Sequence, residues 1–243
     1  MKLEGRVALV TGAGQRVGRA LAVALGRERM HVAVHYNSSA DGAKETAAAI
    51  EAAGGKAALF QANLATADAP AALVREISEQ LGSLDVVVNS AAVMERMPIG
   101  EVTAEEWDSM FALNLRAPFL ISQAVAPLMQ TEGGAIVNIA DLAAFESWPA
   151  YVPHSISKAA VVKMTSALAR ALAPAVRVNA IAPGAVLLPR DWNRDAADRL
   201  ISTTPLGRLG DPEDVVSAML YLLRSDYVTG ETLVVDGGRR IRK

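Results

Sequence analysis

The sequence predicts a single-domain α/β fold in which strands and helices alternate to build a doubly wound parallel sheet. Three observations support this: short apolar runs recur along the chain, helical patterns separate them, and the first run ends in a glycine-rich turn. The length of 243 residues fits one domain, and a hydrophobic share of 51% is ample for a complete core.

The composition narrows the class of protein further. Charges nearly cancel at a net −2, which gives no indication of a nucleic-acid or anionic-membrane partner. The chain has no cysteine, so disulfides, thiolate nucleophiles and zinc–sulfur sites are excluded. Neither a signal segment nor an apolar stretch of about eighteen residues is present, and we expect a cytoplasmic protein.

The elements are expected in a regular order. Strands are predicted at 6–10, 31–36, 56–61, 84–89, 136–139, 175–181 and 232–235. Helices are predicted at 19–28, 40–53 and 67–81, within 103–129, from Pro153 onward, and at 211–223. Residues 186–206 are polar with prolines nearby, and we expect them to form a mobile lid over a substrate.

The first strand runs into Thr11–Gly18, and a helical pattern follows it. A strand, a glycine turn and a helix in this order are typical of a dinucleotide site, because glycines let the backbone approach a pyrophosphate at the helix N-terminus. Gly12, Gly14 and Gly18 are the candidate glycines, and Arg16 and Val17 belong to the same turn. The alternative is an ordinary tight turn without a ligand.

The end of the second strand indicates which nicotinamide cofactor is used. Sites that prefer NAD usually carry an acid here, and residues 30–39 contain none. Tyr36 is instead followed by Asn37, Ser38 and Ser39, which together with Arg16 predict a pocket for the 2′-phosphate of NADPH. The same residues also suit the start and cap of the next helix, and both interpretations can hold together.

The candidate catalytic groups follow the fifth strand. Asp141 lies just past that strand, where open α/β sheets place ligand-facing residues. His154 and Lys158 are four residues apart and therefore share one face of the helix that starts near Pro153. An acid, an imidazole and an ammonium group are thus expected in one crevice.

Over essentially its full length the chain resembles the short-chain dehydrogenase/reductase family. The motifs that carry the resemblance are Thr11–Gly18, Asn89-Ser90-Ala91-Ala92, Asn114, Ser157-Lys158-Ala159, Pro183-Gly184 and Val235-Asp236-Gly237-Gly238. The resemblance implies a seven-stranded Rossmann sheet, a nicotinamide cofactor and usually a homotetramer. It also implies cofactor contacts from Asn63, Leu64, Asn89, Ala91, Lys158, Pro183, Gly184 and Val186, and a catalytic role for Asn114 in steadying a water beside the lysine.

Within that family the chain looks most like the pteridine reductases. The shared features are Arg16, the pair His35-Tyr36, and Asp141 where most relatives have a catalytic serine. Two departures stand out against the family pattern. The catalytic tyrosine is replaced by His154, and the aromatic residue that stacks on a pterin is replaced by Val93.

These residue types favour reduction of a C=N bond. A carboxylate beside the substrate would repel the alkoxide formed from a ketone, whereas it would stabilise a cationic iminium. An imidazole can supply or relay a proton near neutrality. Asp141 and His154 therefore predict an NADPH-dependent reductase of a pterin-like or other cyclic imine.

Two alternatives remain open at this point. The first is a carbonyl reductase in which His154 or Tyr151 acts as the acid, and the second is an NADP(H)-binding protein that has lost catalysis. Side chains that could contact a substrate are Phe145 and Trp148 beside the site, and Arg190, Trp192 and Arg194 in the lid. The basic tail Arg239, Arg240, Arg242 and Lys243 is typical of a solvated surface, and the family resemblance implies that it could reach a neighbouring subunit.

Overall fold

A computed structural model describes residues 1–188 and 194–241. Its seven strands form one parallel sheet in the order β3-β2-β1-β4-β5-β6-β7. The strands are β1 (Val7–Val10), β2 (His31–Tyr36), β3 (Lys56–Gln61), β4 (Val86–Asn89), β5 (Gly134–Ile139), β6 (Val176–Pro183) and β7 (Thr232–Val235). The chain leaves β1 toward β3 and then crosses to β4, so the strand order reverses beside β1. Open α/β sheets bind ligands at this switch point.

Eight α-helices cover the sheet in the described part of the chain. They are α1 (Arg16–Arg27), α2 (Ala40–Ala52), α3 (Ala69–Leu81), α4 (Ala104–Phe111), α5 (Ala117–Val125), α6 (Val152–Leu172), α7 (Arg194–Ser202) and α8 (Pro212–Arg224). Helices α1, α2 and α8 pack on one face of the sheet, and α3, α5 and α6 pack on the other. The doubly wound parallel sheet predicted from the sequence is confirmed.

Helix boundaries differ from the expectation at two places that matter for the site. Helix α1 begins at Arg16, three residues before the predicted start, so the end of the glycine turn is already helical. The predicted helical stretch within 103–129 is interrupted by a π-helical turn at Ala112–Arg116. Pro118 has no amide hydrogen for the carbonyl four residues earlier, on Asn114, which favours this irregularity.

Helix α6 starts at Val152, with Tyr151 as its N-cap and Pro153 in its first turn. Tyr151 therefore precedes the helix that carries His154 and Lys158. Helix α7 lies within the predicted lid, 186–206. Arg190 and Trp192 of that lid, and Arg242 and Lys243 of the tail, lie outside the described residues. Among the described residues, every helix is too short or too polar to cross a membrane.

Candidate active site

One cleft of about 760 Å³ opens along the carboxyl ends of the strands, beside the switch point. Of the residues predicted to bind the cofactor, those that line it are Gly12, Gly14, Arg16, Val17, Gly18, Tyr36, Asn37, Ser38, Ser39, Asn63, Leu64, Ala91, Lys158, Pro183, Gly184 and Val186. The predicted catalytic residues Asp141 and His154 line it as well. The structure therefore brings most of the predicted site residues to one surface.

The glycine turn, residues 11–18, is built so tightly that a side chain is excluded at two of its glycines. A Cβ on Gly12 would lie 2.9 Å from Cα of Ala91, and one on Gly18 would lie 2.4 Å from the carbonyl oxygen of Gly12. On the neighbouring loop, the amides of Ser90 and Ala91 both donate to the hydroxyl of Thr11, at 2.9 and 3.0 Å. Bare backbone consequently forms the floor of the cleft, as a bound pyrophosphate requires.

The end of β2 carries polar side chains without negative charge. Ser39 is the N-cap of α2, yet its side chain makes no capping hydrogen bond. The simple capping role considered for this segment therefore leaves the Ser39 hydroxyl unused. Asp141 is the one acid among the described residues that line the cleft. The uncharged hydroxyl and amide groups at the end of β2 therefore fit the 2′-phosphate of NADPH.

Arg16 differs from the prediction that grouped it with Asn37, Ser38 and Ser39. Its guanidinium donates to the carbonyl oxygen of Leu187 at 2.6 Å, across the mouth of the cleft. The backbone of Arg16 has a φ of 52°, in the left-handed region, at the first residue of α1. Its side chain thus links the glycine turn to the segment that follows β6.

Asp141 is anchored by one of its two carboxylate oxygens. Oδ1 accepts the amide hydrogen of Ala143 at 2.8 Å and caps the short 3₁₀ helix Leu142–Ala144. The second oxygen, Oδ2, lies 3.6 Å from Nε2 of His154. The local turn therefore aims one oxygen of Asp141 at the imidazole, as the sequence predicted in outline.

His154 is 2% exposed, and its environment determines where its proton lies. Nδ1 is 3.2 Å from the carbonyl oxygen of Val93, which can only accept, so Nδ1 must carry hydrogen. Nε2 has no hydrogen-bond partner among the described residues. In a neutral ring its lone pair would face the carboxylate of Asp141. Nε2 is therefore the ring nitrogen that the surrounding backbone leaves available.

Lys158 lies one helical turn beyond His154. Its ammonium donates to the carbonyl oxygen of Ile139 at 2.9 Å, and the residue is 5% exposed. Burial lowers the pKa of Lys158 to about 8, against the opposing effect of the negative charge of Asp141. Lys158 is therefore a buried cation that gives up its proton more readily than an exposed lysine.

Asn114 does not line the cleft. Its side chain grips the backbone of Val93 from both sides: Nδ2 donates to the Val93 carbonyl, and Oδ1 accepts the Val93 amide hydrogen, both at 2.9 Å. Nδ2 also lies 3.1 Å from the hydroxyl of Ser157. Asn114 and His154 thus meet at one carbonyl oxygen, and the π-helical turn supplies the residue that holds it.

Asn89 also differs from the prediction, because it is absent from the described lining of the cleft. Its amide donates to Oδ1 of Asn138 at 2.9 Å, and Asn138 donates to the hydroxyl of Thr165 at 2.9 Å. All three residues are buried. This polar chain ties β4 and β5 to α6 beneath the site, and a strand-end motif alone does not distinguish that position from a ligand contact.

Several wall residues were missed or left undecided by the sequence. Trp148 and Tyr151 line the cleft with their rings in an edge-to-face arrangement, 6.3 Å between centroids. Phe145 packs instead under Arg240, whose guanidinium lies 4.9 Å from the ring centroid. The walls also include Gln15, His35, Met94, Leu200 and Arg239. Leu200 lies in the predicted lid, whereas no signal in the sequence indicated a wall position for Gln15 or Met94.

Comparison with known proteins places the chain in a family. Residues 12–240 match the family model described as enoyl-(acyl carrier protein) reductase. The chain is 36% identical over 241 residues to a 3-oxoacyl-[acyl-carrier-protein] reductase of Synechocystis, covering 97% of each protein.

Solved structures of similar proteins superpose on this chain over nearly its whole length. The angucycline C-6 ketoreductase LanV with bound NADP superposes with a TM-score of 0.91 at 32% identity, covering 99% of this chain and 97% of that one. FolM alternative dihydrofolate reductase 1 from Brucella canis, complexed with NADP, gives 0.93 at 30% identity, covering 100% and 96%. The chain belongs to the short-chain dehydrogenase/reductase family of oxidoreductases.

Proposed function

We propose that this protein is an NADPH-dependent reductase of a C=N bond in a cyclic imine, with pterin-like compounds as the first candidates. The observation that carries the proposal is the pair Asp141–His154, in which Oδ2 and Nε2 lie 3.6 Å apart. The hydrogen bond from Nδ1 to Val93 leaves Nε2 as the ring nitrogen that exchanges a proton with the substrate.

The cleft suits the cofactor in its shape and charge. Gly12 and Gly18 keep the floor free of side chains, and the end of β2 offers hydroxyl and amide groups without a carboxylate. Two similar structures, LanV and FolM, are described with NADP bound. Bound NADPH would supply the hydride that the carbon of the C=N bond accepts. Lys158 and Ala91 would lie beside its nicotinamide ribose.

The residues of the chain would then act on the nitrogen end of the bond. His154 gives a proton from Nε2 to the imine nitrogen, which produces a cationic iminium and a neutral ring. Asp141 stabilises that cation through its free oxygen, while Oδ1 stays bound to Ala143. Uptake of the hydride at carbon leaves a neutral amine, so one hydride and one proton account for the reduction.

The burial of His154 strengthens this chemistry. His154 is almost fully buried, and attraction between a carboxylate and a cation is larger away from water. Asn114 supports the arrangement by holding the Val93 carbonyl against Nδ1. Among similar proteins, FolM is described as a dihydrofolate reductase, and dihydrofolate contains a cyclic C=N bond of this kind.

A ketone reductase is the second candidate. Two similar proteins are described as a 3-oxoacyl reductase and a C-6 ketoreductase. Tyr151 lines the cleft and would offer a phenol as the acid in place of the residue at position 154. Against this candidate, the carboxylate of Asp141 would face the alkoxide that forms.

Purified protein should be tested for NADPH oxidation with dihydropterins, cyclic imines and simple ketones, with NADH in parallel. We expect turnover of the C=N substrates and a preference for NADPH. The variant His154→Tyr should lose C=N turnover and gain activity with ketones. Turnover of ketones alone by the wild-type protein would refute the proposal. Tight NADPH binding without turnover would favour a protein that has lost catalysis.

Self-association as a homotetramer and a lid at 186–206 are part of the same proposal. Large apolar side chains such as Phe119, Ile156 and Tyr227 are exposed on the described surface of the single chain. Contiguous apolar patches are typical of subunit contacts, and these side chains are the first candidates for such a patch. Light scattering behind a sizing column measures the assembly directly, and a monomer at micromolar concentration would contradict a tetramer.

A further inference from the structure

His35 occupies a place that the proposed chemistry does not use. It lies in β2, is 2% exposed, and its ring stands between the glycine turn and the end of β3. The amide of Gly12 donates to Nδ1 at 3.1 Å, and Nε2 lies 3.1 Å from the carbonyl oxygen of Ala62. A single side chain thus joins two loops that both line the cleft.

The Gly12 amide and the Ala62 carbonyl together allow only one tautomer of the His35 ring. A backbone amide can only donate, so Nδ1 must be unprotonated to accept from Gly12. A carbonyl can only accept, so Nε2 must carry the hydrogen that is donated to Ala62. Both bonds form together only on the neutral ring with its proton on Nε2. A charged ring would lose the bond to Gly12.

The neighbours of the ring make this arrangement rigid. Ala13 donates its amide hydrogen to the backbone carbonyl of His35 at 2.9 Å, and Ala62 donates to Tyr36 at 3.1 Å. On the opposite side, Gly12 is so close to Ala91 that a Cβ would lie 2.9 Å from the Ala91 Cα. The glycine turn is therefore held between the β4 loop and the imidazole.

We propose that His35 is a positioning residue for the cofactor, which sets the separation between the glycine turn and the end of β3. The inference rests on the proposed cofactor site. Gly12 and Gly14 on one side, and Asn63 and Leu64 on the other, would contact the pyrophosphate and the adenosine of the cofactor. The ring width and its two hydrogen bonds determine how far apart those two surfaces lie.

The test separates cofactor binding from turnover. The variant His35→Leu keeps a buried side chain of similar size but forms neither hydrogen bond. We expect its Kd for NADPH, measured by fluorescence titration without substrate, to rise roughly 10- to 30-fold, because the two loops would then hold the binding-competent separation in only a small fraction of the free molecules. The kcat at saturating NADPH should change by less than about threefold, because the reacting groups are left in place.

A rescue variant and a control sharpen the result. His35→Asn retains an acceptor for Gly12 but is too short for Ala62, so it should recover part of the affinity. The matched control is His31→Asn, at the opposite end of the same strand and only partly buried, which should bind NADPH like the wild type. Equal affinity of His35→Leu and the wild type would overturn the role of His35 while leaving the proposed function intact.

Two further outcomes are decisive. Failure of the wild-type protein to bind NADPH would remove the cofactor site, and with it both proposals. If the His35 variants do not fold, the ¹⁵N NMR spectrum of the wild-type ring gives the answer. We expect Nε2 to carry the proton and Nδ1 to be unprotonated. A proton on Nδ1 would exclude the hydrogen bond from the Gly12 amide.

Discussion

The two halves of the cleft are built in different ways. In the cofactor half, formed by the glycine turn and residues 35–39 and 62–64, both ring nitrogens of His35 and the hydroxyl of Thr11 are hydrogen-bonded. In the substrate half, around residues 93–94 and 141–154, Nε2 of His154 is buried without a hydrogen-bond partner among the described residues. Both ring nitrogens of His35 are therefore occupied by backbone contacts, whereas Nε2 of His154 is available to a substrate.

The difference shows how to distinguish a structural from a reactive side chain. A buried polar atom without a partner is unfavourable for folding, so its presence in a cleft indicates a ligand or a reaction. Burial lowers the pKa of His35 to about 4, which keeps its ring neutral in ordinary buffers. In the Asp141–His154 pair, by contrast, Nε2 lies 3.6 Å from Oδ2 and has no hydrogen-bond partner among the described residues.

The largest effect is expected from removing the reactive histidine. His154→Gln should lower kcat for the C=N substrate by about 10²- to 10⁴-fold, the range for a lost general acid. The Kd for NADPH should stay within about threefold of wild type, because the cofactor half is unchanged. Steady-state kinetics and fluorescence titration measure the two quantities, and His31→Gln serves as a control. If His154→Gln also lost NADPH affinity, the cofactor half and the substrate half of the cleft would not be independent.

The next effect concerns folding stability and the charge of Lys158. In the folded chain the pKa of Lys158 is lowered to about 8 by burial, whereas the unfolded chain has the ordinary value of 10.5. Between these values the unfolded state holds a proton that the folded state lacks. The free energy of unfolding contributed by this group therefore rises with pH from 8 to 10.5, by about 3 kcal/mol in total.

Denaturant titrations of cofactor-free protein across this pH range should show that rise. In Lys158→Met the rise should be absent, because a neutral side chain has no proton to lose. Lys163→Met, on an exposed position of the same helix, is the matched control and should behave like wild type. Identical pH profiles for Lys158→Met and wild type would show that Lys158 is not destabilised by burial.

A smaller effect is expected in the glycine turn. In Gly18→Ala the added Cβ would lie 2.4 Å from the Gly12 carbonyl oxygen, a backbone atom that cannot move independently. We expect a loss of about 1–3 kcal/mol in the free energy of unfolding, typical of overpacking, together with weaker NADPH binding. Denaturant unfolding and fluorescence titration test both parts. Full stability with normal binding would show that the turn tolerates side chains.

The smallest expected effect is on cofactor choice. Asn37→Asp places a carboxylate where we expect the 2′-phosphate, so the ratio of NADPH to NADH efficiency should fall by about tenfold. Asn37→Ala removes the amide without adding charge and should alter the ratio far less. Steady-state kinetics with each cofactor measures the ratio. An unchanged preference in Asn37→Asp would place the phosphate elsewhere, with Arg16 as the first residue to examine.

Much of the cofactor half could be predicted because its signals are local. The turn at Gly12–Gly18 and the missing acid after β2 are properties of short segments, and the structure brings those segments to one cleft. Two side chains make contacts that the sequence did not predict. Asn89 faces Asn138 in the core, and Arg16 bonds to Leu187 across 171 residues of chain. The residues that flank Asn89 and Arg16 in the sequence do not indicate where either side chain points.

By itself the sequence determined the parallel doubly wound sheet and the glycine turn, and it named Asp141, His154 and Lys158 as candidates, because periodicity and i,i+4 spacing act over a few residues. Only the tertiary structure decided which atoms meet. Val93 contacts Asn114 from 21 residues away and His154 from 61, and His35 reaches Gly12 from 23 and Ala62 from 27. A hydrogen bond requires its donor and acceptor to be placed within a few tenths of an ångström. Only the packing of the whole sheet positions residues so far apart in the chain with that accuracy.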